Sequence, residues 1–210
     1  MNLPTLKFNF INIIIKRIFD LFASIVGLLI LFPFLLFFAL AIKVSTPGNI
    51  FFRQLRVGKD GSMFRLLKFR TMQNIPQESE GRFDPGDKSR VTRIGSFLRK
   101  YKLDELPQLI NVIKGEMSIV GPRPEIKQWT QVYPQKWEIV LRVTPGITDN
   151  ASIVFSDEEE LLSKSDNPNK TYRDVILPRK LDLYVSYVNN HSFSGDISIV
   201  FRTLIKVISK

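Results

Sequence analysis

A hydrophobic run near the N-terminus constrains this 210-residue chain more than any other feature. No charged side chain occurs in the 22 residues from Leu21 to Ile42, and about 20 apolar residues in a helix are enough to cross a bilayer. No small-x-small cleavage site follows before Lys43, which argues against a cleavable signal peptide. The run therefore predicts a helix that remains in the membrane.

Two features favour a re-entrant helix, which enters and leaves the membrane on one face, over a helix that spans it. Pro33 divides the run, and an internal proline removes a backbone hydrogen bond and kinks a helix. Basic residues flank both ends, with Lys16 and Arg17 before the run and Lys43 after it. Because such flanks favour the cytoplasmic side, both ends are predicted to lie there. A spanning helix is the alternative, and the role of residues 1–15 stays open.

The composition leaves carboxylates and basic side chains as the main candidates for a functional site. The chain has 30 Lys and Arg against 20 Asp and Glu, a net charge of +10, one histidine and no cysteine. Disulfide scaffolds, thiolate metal sites, cysteine nucleophiles and histidine clusters are thereby excluded. Walker A and G-x-G-x-x-G phosphate loops are absent. The cations lie around carboxylates and do not form an uninterrupted basic face, so no nucleic-acid partner is expected.

After the hydrophobic run, the pattern predicts an α+β fold that is mostly helical and contains a β-hairpin. The two strands flank an Asp-Gly turn, apolar stripes mark the helices, and a capping box at Ser156 and Glu159 opens a further helix. Turn-forming residues predict a surface loop over 73–88. The predicted strands are 51–57 and 63–71, and the helical stripes lie in 94–101, 106–113, 181–188 and 197–208.

Two aromatic or apolar patterns leave alternatives open. The last stripe is a basic amphipathic helix that lies in the membrane interface or docks on the core of the chain. Trp129, Tyr133 and Trp137 recur every four residues and form an interfacial aromatic belt or pack in the core.

The candidate active site is an acidic pair set among cations. Asp104 and Glu105 precede a predicted helix, whose N-terminus stabilises anions, and carboxylates are the ligands that magnesium prefers. Arg123 stands between two prolines, which stiffen its backbone and suit it to clamp a phosphate. Simple helix capping and a rigid surface loop are the alternatives. Lys68 and Arg70 share a strand face and suit a second phosphate. Arg90 and Arg93 suit attraction to anionic lipid.

Seven motifs that follow one another in order resemble those of the bacterial sugar transferase family. The resemblance extends from about Lys16 to the C-terminus. The motifs are Lys16-Arg17-x-x-Asp20, Pro47-Gly48-x-x-Phe51-Phe52-x-Gln54-x-Arg56-x-Gly58, Lys68-Phe69-Arg70-Thr71-Met72, Leu103-Asp104-Glu105-Leu106-Pro107-Gln108-Leu109, Met117-Ser118-x-Val120-Gly121-Pro122-Arg123-Pro124 and Pro145-Gly146-Ile147-Thr148, together with the proline-broken hydrophobic run.

The resemblance implies a monotopic enzyme on the cytoplasmic face of the bacterial cytoplasmic membrane, in contact with its lipids. Such enzymes move a sugar phosphate from a UDP-sugar to undecaprenyl phosphate, with Mg²⁺ and release of UMP, in surface-glycan synthesis. It implies that Asp104 is the nucleophile, that Glu105 binds the metal and that Lys68 and Arg123 bind phosphate. Asp182, before an aromatic residue, is a weaker candidate for substrate binding.

We therefore predict an N-terminal segment, 1–46, with the re-entrant helix, and a catalytic domain, 47–210, that faces the cytosol. Asp104 and Glu105 are the candidate catalytic residues and magnesium ligands. The candidate substrate-binding residues are Lys68, Arg70, Arg93, Arg123 and Asp182. The sugar, the glycan pathway and the oligomeric state stay open.

Three departures from the family pattern bear on specificity. Phe32 precedes the kink proline where many members have serine, and Lys102 replaces a serine before Leu-Asp-Glu. Residues 149–152, Asp-Asn-Ala-Ser, replace a glycine-rich segment with glutamine, so the usual sugar assignments do not transfer. Two other functions compete: a membrane tether without enzymatic activity, and a glycosyltransferase that releases UDP.

Overall fold

The structure is a computed structural model that describes residues 10–73 and 90–209. The predicted surface loop over 73–88 lies outside the described residues from position 74 onward. The described part is mostly helical, as predicted, with four short strands in two separate pairs.

Ten α-helices and four strands are assigned in the described ranges. The helices are α1 Phe10–Ser45, α2 Arg93–Lys100, α3 Gln108–Lys114, α4 Lys127–Thr130, α5 Pro134–Val140, α6 Asn150–Val154, α7 Glu158–Ser163, α8 Pro168–Thr171, α9 Leu177–Asn189 and α10 Phe193–Ile208. The strands are β1 Phe51–Val57, β2 Met63–Phe69, β3 Ser118–Val120 and β4 Gly146–Thr148, with 3₁₀ turns at Lys59–Gly61 and Leu103–Glu105 and a π-turn at Tyr172–Ile176.

Helix α1 contains the whole hydrophobic run and extends it at both ends. It is long and apolar enough to cross a membrane, and Pro33 lies inside it. One stripe of buried or half-buried residues follows its length at helical spacing, including Asp20, Ser24, Leu35 and Ile42. The opposite side is strongly exposed. Apolar side chains on that side include Phe22, Leu29, Ile30, Phe32, Phe34 and Phe37.

Polar contacts dock the N-terminal part of α1 on the rest of the chain. Lys16 Nζ donates to the Val120 carbonyl at 2.9 Å and pairs with Asp196 at 2.7 Å. Arg17 donates to two carbonyls at the C-terminal end of α3, and the Asp20 carboxylate accepts the Ile119 N–H at 3.1 Å. The Lys-Arg-x-x-Asp motif is therefore a docking element for α1.

The C-terminal end of α1 packs against the same body of the protein. Ile42 is buried with Phe69 of β2 and Leu98 of α2. Arg70, just after β2, donates hydrogen bonds to the carbonyls of Thr46 and Pro47 and so covers the end of α1. Both ends of the apolar helix thus rest on one body.

The predicted hairpin is confirmed, and it pairs β1 with β2 in antiparallel register from Phe51 opposite Phe69 to Val57 opposite Met63. The predicted second strand ends two residues early, at Phe69. The inward face of β2 buries Phe64 and Leu66 against α3, where Val112 is fully buried. This packing places the Lys68 side chain on the face of β2 that lies towards the 3₁₀ turn Leu103–Glu105, which we call the acidic turn.

A second, parallel pair of strands was not predicted. β3 pairs with β4 through Ser118 opposite Gly146 and Val120 opposite Thr148. The backbones approach closely at two glycines, since a Cβ at Gly146 would stand 2.1 Å from Gly121 N. Strands of three residues are too short to show alternation, which explains why the pattern missed them.

The core resolves the open alternative for the aromatic residues and part of the one for the last helix. Trp129 and Trp137 are buried and pack on Tyr172 and Tyr184 respectively, so they are core residues and no interfacial belt. For the last helix, α10, docking on the core is confirmed for one half, and a place of the other half in the membrane interface stays a prediction. Its first half docks, with buried residues such as Ile199, whereas its second half exposes Phe201, Leu204, Ile205 and Ile208.

The predicted capping box is wrong in its details. α7 begins at Glu158, with Asp157 in the N-cap position and no side-chain capping bond there. Glu159 instead pairs with Arg99 of α2 at 2.5 Å. A tertiary ion pair therefore uses the glutamate that the local pattern had assigned to the cap.

We expect the Lys16–Asp196 pair to stabilise the docked state of α1. Asp196 is 1% exposed and also accepts a hydrogen bond from Tyr187 at 2.8 Å. Asp196→Asn leaves a partly buried lysine without its counter-charge, a change that costs about 3 kcal/mol. The melting temperature in detergent, followed by circular dichroism, is expected to fall by about 6–12 °C.

Glu160→Gln is the matched control, because it removes an exposed carboxylate that pairs with Lys164 within one helix. Its melting temperature is expected to stay at the wild-type value. Equal melting temperatures for the Asp196 variant and this control would contradict the docking role.

Candidate active site

The acidic pair lies on the 3₁₀ turn Leu103–Glu105, directly before α3. Lys102 begins the turn in the left-handed region, at φ 56° and ψ 20°. This conformation, uncommon for lysine, turns the chain so that the next residues face inward. Asp104 and Glu105 are each only 7% exposed. The prediction that the pair precedes a helix is confirmed.

Glu105 binds two cations that come from distant parts of the sequence. Lys68 Nζ of β2 lies 2.9 Å from Glu105 Oε1. Arg123, in the loop after β3, donates from both terminal nitrogens to the two carboxylate oxygens, with one contact at 3.1 Å. The structure thus brings together four of the predicted site residues, Lys68, Asp104, Glu105 and Arg123.

The pKa values of the two carboxylates are shifted in opposite directions. Burial by itself raises the pKa of Glu105, but Arg123 and Lys68 outweigh it and hold that pKa well below the usual range. Burial raises the pKa of Asp104, and the attraction of Lys68 only partly opposes it. For Lys68, burial lowers the pKa against the attraction of Glu105. Glu105 is therefore the fixed counter-ion of the site.

One side-chain oxygen of Asp104 is available to a ligand or a substrate. Its Oδ1 is buried and has no hydrogen-bond partner among the described residues. Buried polar atoms are normally satisfied, and an exception points to strain, to a missing ligand or to chemistry. In a pocket lined with cations, an available carboxylate oxygen suits a nucleophile or a metal ligand.

A buried network supports the loop that carries Arg123. Glu125 accepts hydrogen bonds from Arg56 at 3.1 Å and from the Tyr172 hydroxyl at 2.6 Å. Arg56 also donates to the Pro124 carbonyl at 3.1 Å. Sequence reasoning did not assign roles to Arg56, Glu125 or Tyr172, and their separation along the chain gave no local signal.

The acidic turn opens into a large cleft lined with further cations. Arg99 pairs with Glu159, and the buried Lys180 of α9 pairs with Glu158 at 3.0 Å. Both glutamates belong to α7. Lys180 was not identified from the sequence. The cleft therefore holds cations beyond the predicted set, and these two are each paired with a glutamate of α7.

Three predicted substrate-binding residues lie apart from the cluster around Glu105. Arg70 covers the end of α1, and Arg93 is an exposed residue at the start of α2 on the cleft wall. Asp182 is on the exposed side of α9, with 67% of its side chain exposed, and pairs with Lys136 at 2.6 Å. Their roles in binding stay predictions.

The unusual segment after Thr148 forms the start of a short helix. The buried Asp149 caps α6 by accepting hydrogen bonds from the backbone N–H and the hydroxyl of Ser152, at 2.9 and 2.6 Å. Thr148 and Ser152 line the cleft. This segment therefore shapes the wall of the site with a capped helix.

The donor set fits magnesium in one specific way. Within residues 10–73 and 90–209, no group of three acidic, histidine or cysteine side chains could hold a metal ion by itself. Mg²⁺ commonly takes one or two carboxylates and fills its shell with water and substrate phosphates. The free oxygen of Asp104 meets that need, whereas both oxygens of Glu105 are engaged by cations.

We expect Glu105 to stabilise the fold in a pH-dependent way. Because its pKa is lowered on folding, its contribution is complete above the unfolded value of about 4.5 and is lost as pH falls through the folded value. Glu105→Gln leaves Lys68 and Arg123 without a buried counter-charge and costs about 3 kcal/mol at pH 7. The measurement is chemical denaturation between pH 7 and pH 3.

The stability difference between wild type and Glu105→Gln is expected to shrink below about pH 4.5. Glu138→Gln is the control, since its exposed carboxylate pairs only loosely with Arg142, at 3.7 Å. A difference that stays constant with pH would contradict the assignment of Glu105 as an ionised partner.

Comparison with known proteins places the whole described body in one family. Residues 11–210 match the profile of the family described as "Bacterial sugar transferase". The chain is 36% identical over 200 residues to the UDP-glucose:undecaprenyl-phosphate glucose-1-phosphate transferase of Escherichia coli K12, covering 93% of this chain and 40% of that protein.

Two further relatives show the same likeness. The exopolysaccharide production protein PSS of Rhizobium leguminosarum bv. phaseoli is 35% identical over 210 residues, covering 95% of this chain and 98% of that protein. The UDP-N-acetylgalactosamine-undecaprenyl-phosphate N-acetylgalactosaminephosphotransferase of Aeromonas hydrophila is 34% identical over 193 residues, covering 90% and 43% respectively. The chain thus spans less than half of two relatives and nearly all of the third. With its motifs, acidic turn and cation cluster, this chain belongs to the bacterial sugar transferase family.

Proposed function

We propose that the chain transfers a sugar 1-phosphate from a UDP-sugar to undecaprenyl phosphate and releases UMP. The observation that carries the proposal is the buried, unpartnered Oδ1 of Asp104 beside the ion cluster of Lys68, Glu105 and Arg123. The names of the relatives supply the two substrate classes. Membership of the family and the names of its exopolysaccharide relatives support a role of the reaction in surface-glycan synthesis.

The first step is an attack by the Asp104 carboxylate on the phosphorus that carries the sugar. A carboxylate–phosphorus bond forms, the bond from that phosphorus to the bridging oxygen breaks, and the electron pair leaves with UMP. Asp104 needs no separate base for this step when it is ionised. Lys68, with its ammonium on the inner face of β2, and Arg123 supply positive charge where the phosphates gain negative charge.

The second step regenerates the carboxylate. A phosphate oxygen of undecaprenyl phosphate attacks the same phosphorus, and the bond between that phosphorus and Asp104 breaks. The product is undecaprenyl diphosphate sugar. Since the acceptor is an anion, the cations that serve the first step also serve the second.

Glu105 gives the site its order before substrate arrives. It holds the Lys68 and Arg123 side chains in place, so that little further conformational entropy is lost when a phosphate binds to them. Magnesium is proposed as the cofactor, and the acidic pair of Asp104 and Glu105 would hold it. When bound, the ion would neutralise charge on the diphosphate of the donor.

The two ends of α1 support the membrane arrangement that we propose. Both ends rest on the same body, through Arg17 at one end and Ile42 at the other, while the exposed middle is apolar. A helix that crossed the bilayer would separate its ends by about 30 Å, one on each side of the membrane. We therefore place the protein as a monotopic enzyme on the cytoplasmic face of the cytoplasmic membrane. The exposed apolar half of α10 is its second lipid contact.

We expect Asp104→Asn to abolish transfer while the fold is kept. Purified protein in nanodiscs receives undecaprenyl phosphate, Mg²⁺ and a panel of UDP-sugars, and UMP and UDP are assayed separately. The wild type is expected to release UMP with one donor, and the variant is expected to be slower by about 1,000-fold or more. Without acceptor, intact-mass spectrometry is expected to find one sugar phosphate on the wild type and none on the variant.

Asp60→Asn is the matched control, because Asp60 lies in an exposed turn at φ 53°, where asparagine is also tolerated. It is expected to turn over like the wild type. Near-normal activity in Asp104→Asn would overturn the covalent mechanism. Release of UDP would favour a glycosyltransferase, and no nucleotide release from folded protein across a broad panel would favour a membrane tether.

The absence of cysteine from the sequence allows a direct test of topology. Single-cysteine variants at Asn12 and Ser45, near the two ends of α1, are labelled with a membrane-impermeant maleimide. Both are expected to react in inside-out vesicles and neither in right-side-out vesicles. Reaction of the two positions from opposite faces would show a spanning helix and overturn the re-entrant placement.

A further inference from the structure

We infer that Asn111 is a positioning residue that sets Lys68 against the acidic pair. Asn111 lies in the middle of α3, is 1% exposed and lies outside the cluster around Glu105. Its consequence for sugar-phosphate transfer rests on the function proposed above. Its consequence for the geometry of Lys68 does not depend on that function.

The side-chain amide of Asn111 pairs with the backbone of β2. Its Oδ1 accepts the Leu67 N–H at 3.1 Å, and its Nδ2 donates to the Arg65 carbonyl at 2.9 Å. One amide thus provides the donor and the acceptor that a neighbouring strand would have offered. β2 has β1 on one side only, and Asn111 satisfies backbone groups on the other side.

These two bonds end one residue before Lys68. Asn111 therefore links α3, which continues from the acidic turn, to the segment of β2 that bears the ammonium. The link is short on both sides. From Asn111 the chain leads back through α3 to Glu105, and from Leu67 the next side chain in the strand is Lys68, which reaches Glu105 at 2.9 Å.

Apolar packing between α3 and β2 does not define this alignment by itself. The contact around Phe64, Leu66 and Val112 is non-directional, so it does not by itself pair the backbone groups of the strand with partners on α3. Hydrogen bonds to a strand edge are directional and fix the strand along its length. Asn111 thereby fixes the position at which Lys68 leaves the strand.

A third contact of Asn111 provides the control. Its Nδ2 also donates to Glu116 Oε2 at 2.7 Å, in the turn after α3. Glu116→Gln keeps the size of that side chain and leaves both strand bonds in place. It therefore separates the contact with β2 from the general role of a buried amide.

The test combines activity with the chemical reactivity of Lys68. Asn111→Leu removes both strand bonds at similar volume. Asn111→Asp is made together with Glu116→Gln, so that no two carboxylates face each other at 2.7 Å, and it retains only the acceptor for the Leu67 N–H. Each variant is made with and without Lys68→Met. UMP release gives kcat, and mass spectrometry gives the acetylation rate of Lys68 by acetic anhydride, normalised to the exposed Lys59 in the same sample.

We expect Asn111→Leu to lower kcat by about 100-fold, the effect of a catalytic group displaced by about 1 Å. Asn111→Asp is expected to lie between this variant and the wild type. In the Lys68→Met background, Asn111→Leu is expected to cause no further loss, because the group it positions is already gone. Lys68 acetylation is expected to rise severalfold in Asn111→Leu and to stay unchanged in Glu116→Gln.

Two results would overturn the proposal. One is a loss of kcat of the same factor in the Lys68→Met background as in the wild type, which would make the role of Asn111 purely structural. The other is an unchanged acetylation rate of Lys68 in both Asn111 variants. If Asn111→Leu fails to fold, Asn111→Asp decides by the same criteria. If the wild type shows no transfer at all, the proposed function fails, and the acetylation rates still decide the role of Asn111.

Discussion

One buried carboxylate, that of Glu105, organises the centre of this protein. Lys68 and Arg123 reach it from a strand of the hairpin and from the loop after β3, so a single anion joins three separate segments. Removing these charges from water is costly, and the cost is offset only if all partners stay in place. An arrangement that lacks one of the three charged groups is therefore strongly unfavourable in free energy. This restricts the site to one defined geometry. Asp104, its neighbour in sequence, remains the carboxylate with an oxygen to spare.

The long helix and the site depend on each other through polar contacts at the ends of α1. Asp20 accepts the N–H of Ile119 in β3, and β3 leads directly into the loop of Arg123. At the other end, Arg70, two residues after Lys68, donates hydrogen bonds to the carbonyls of Thr46 and Pro47, just beyond the last residue of the helix. The apolar helix is thereby tied to both cation-bearing segments. In the function proposed above, this connection keeps a phosphate carried by a lipid close to Asp104.

Residues that the sequence pattern made equally good site candidates lie in different places in the structure. Lys68 and Arg70 share a motif and were predicted to share a strand face, yet Lys68 meets Glu105, whereas Arg70 lies beyond the strand and covers the end of α1. Asp182 looked like a late site residue, but it lies exposed on α9 beside Lys136. Conversely, Asn111 and Lys180 carry no local signal and occupy buried positions beside the site elements. Residue type and spacing identify candidate site residues, and only the tertiary packing shows which of these residues lie in the site.

The sequence by itself determined the apolar helix, the hairpin, the amphipathic C-terminal helix and the chemical identity of the acidic pair with its arginine between prolines. These features are encoded in hydrophobic periodicity, turn residues and proline, all of which act over a few neighbouring positions. Tertiary structure alone decided the pairing of β3 with β4, the burial of Trp129 and Trp137, and the convergence on Glu105. The partners of Glu105 lie 37 positions before and 18 positions after it. Such pairs form because buried charges require a counter-charge wherever the folded chain places one, and no local pattern records that distance.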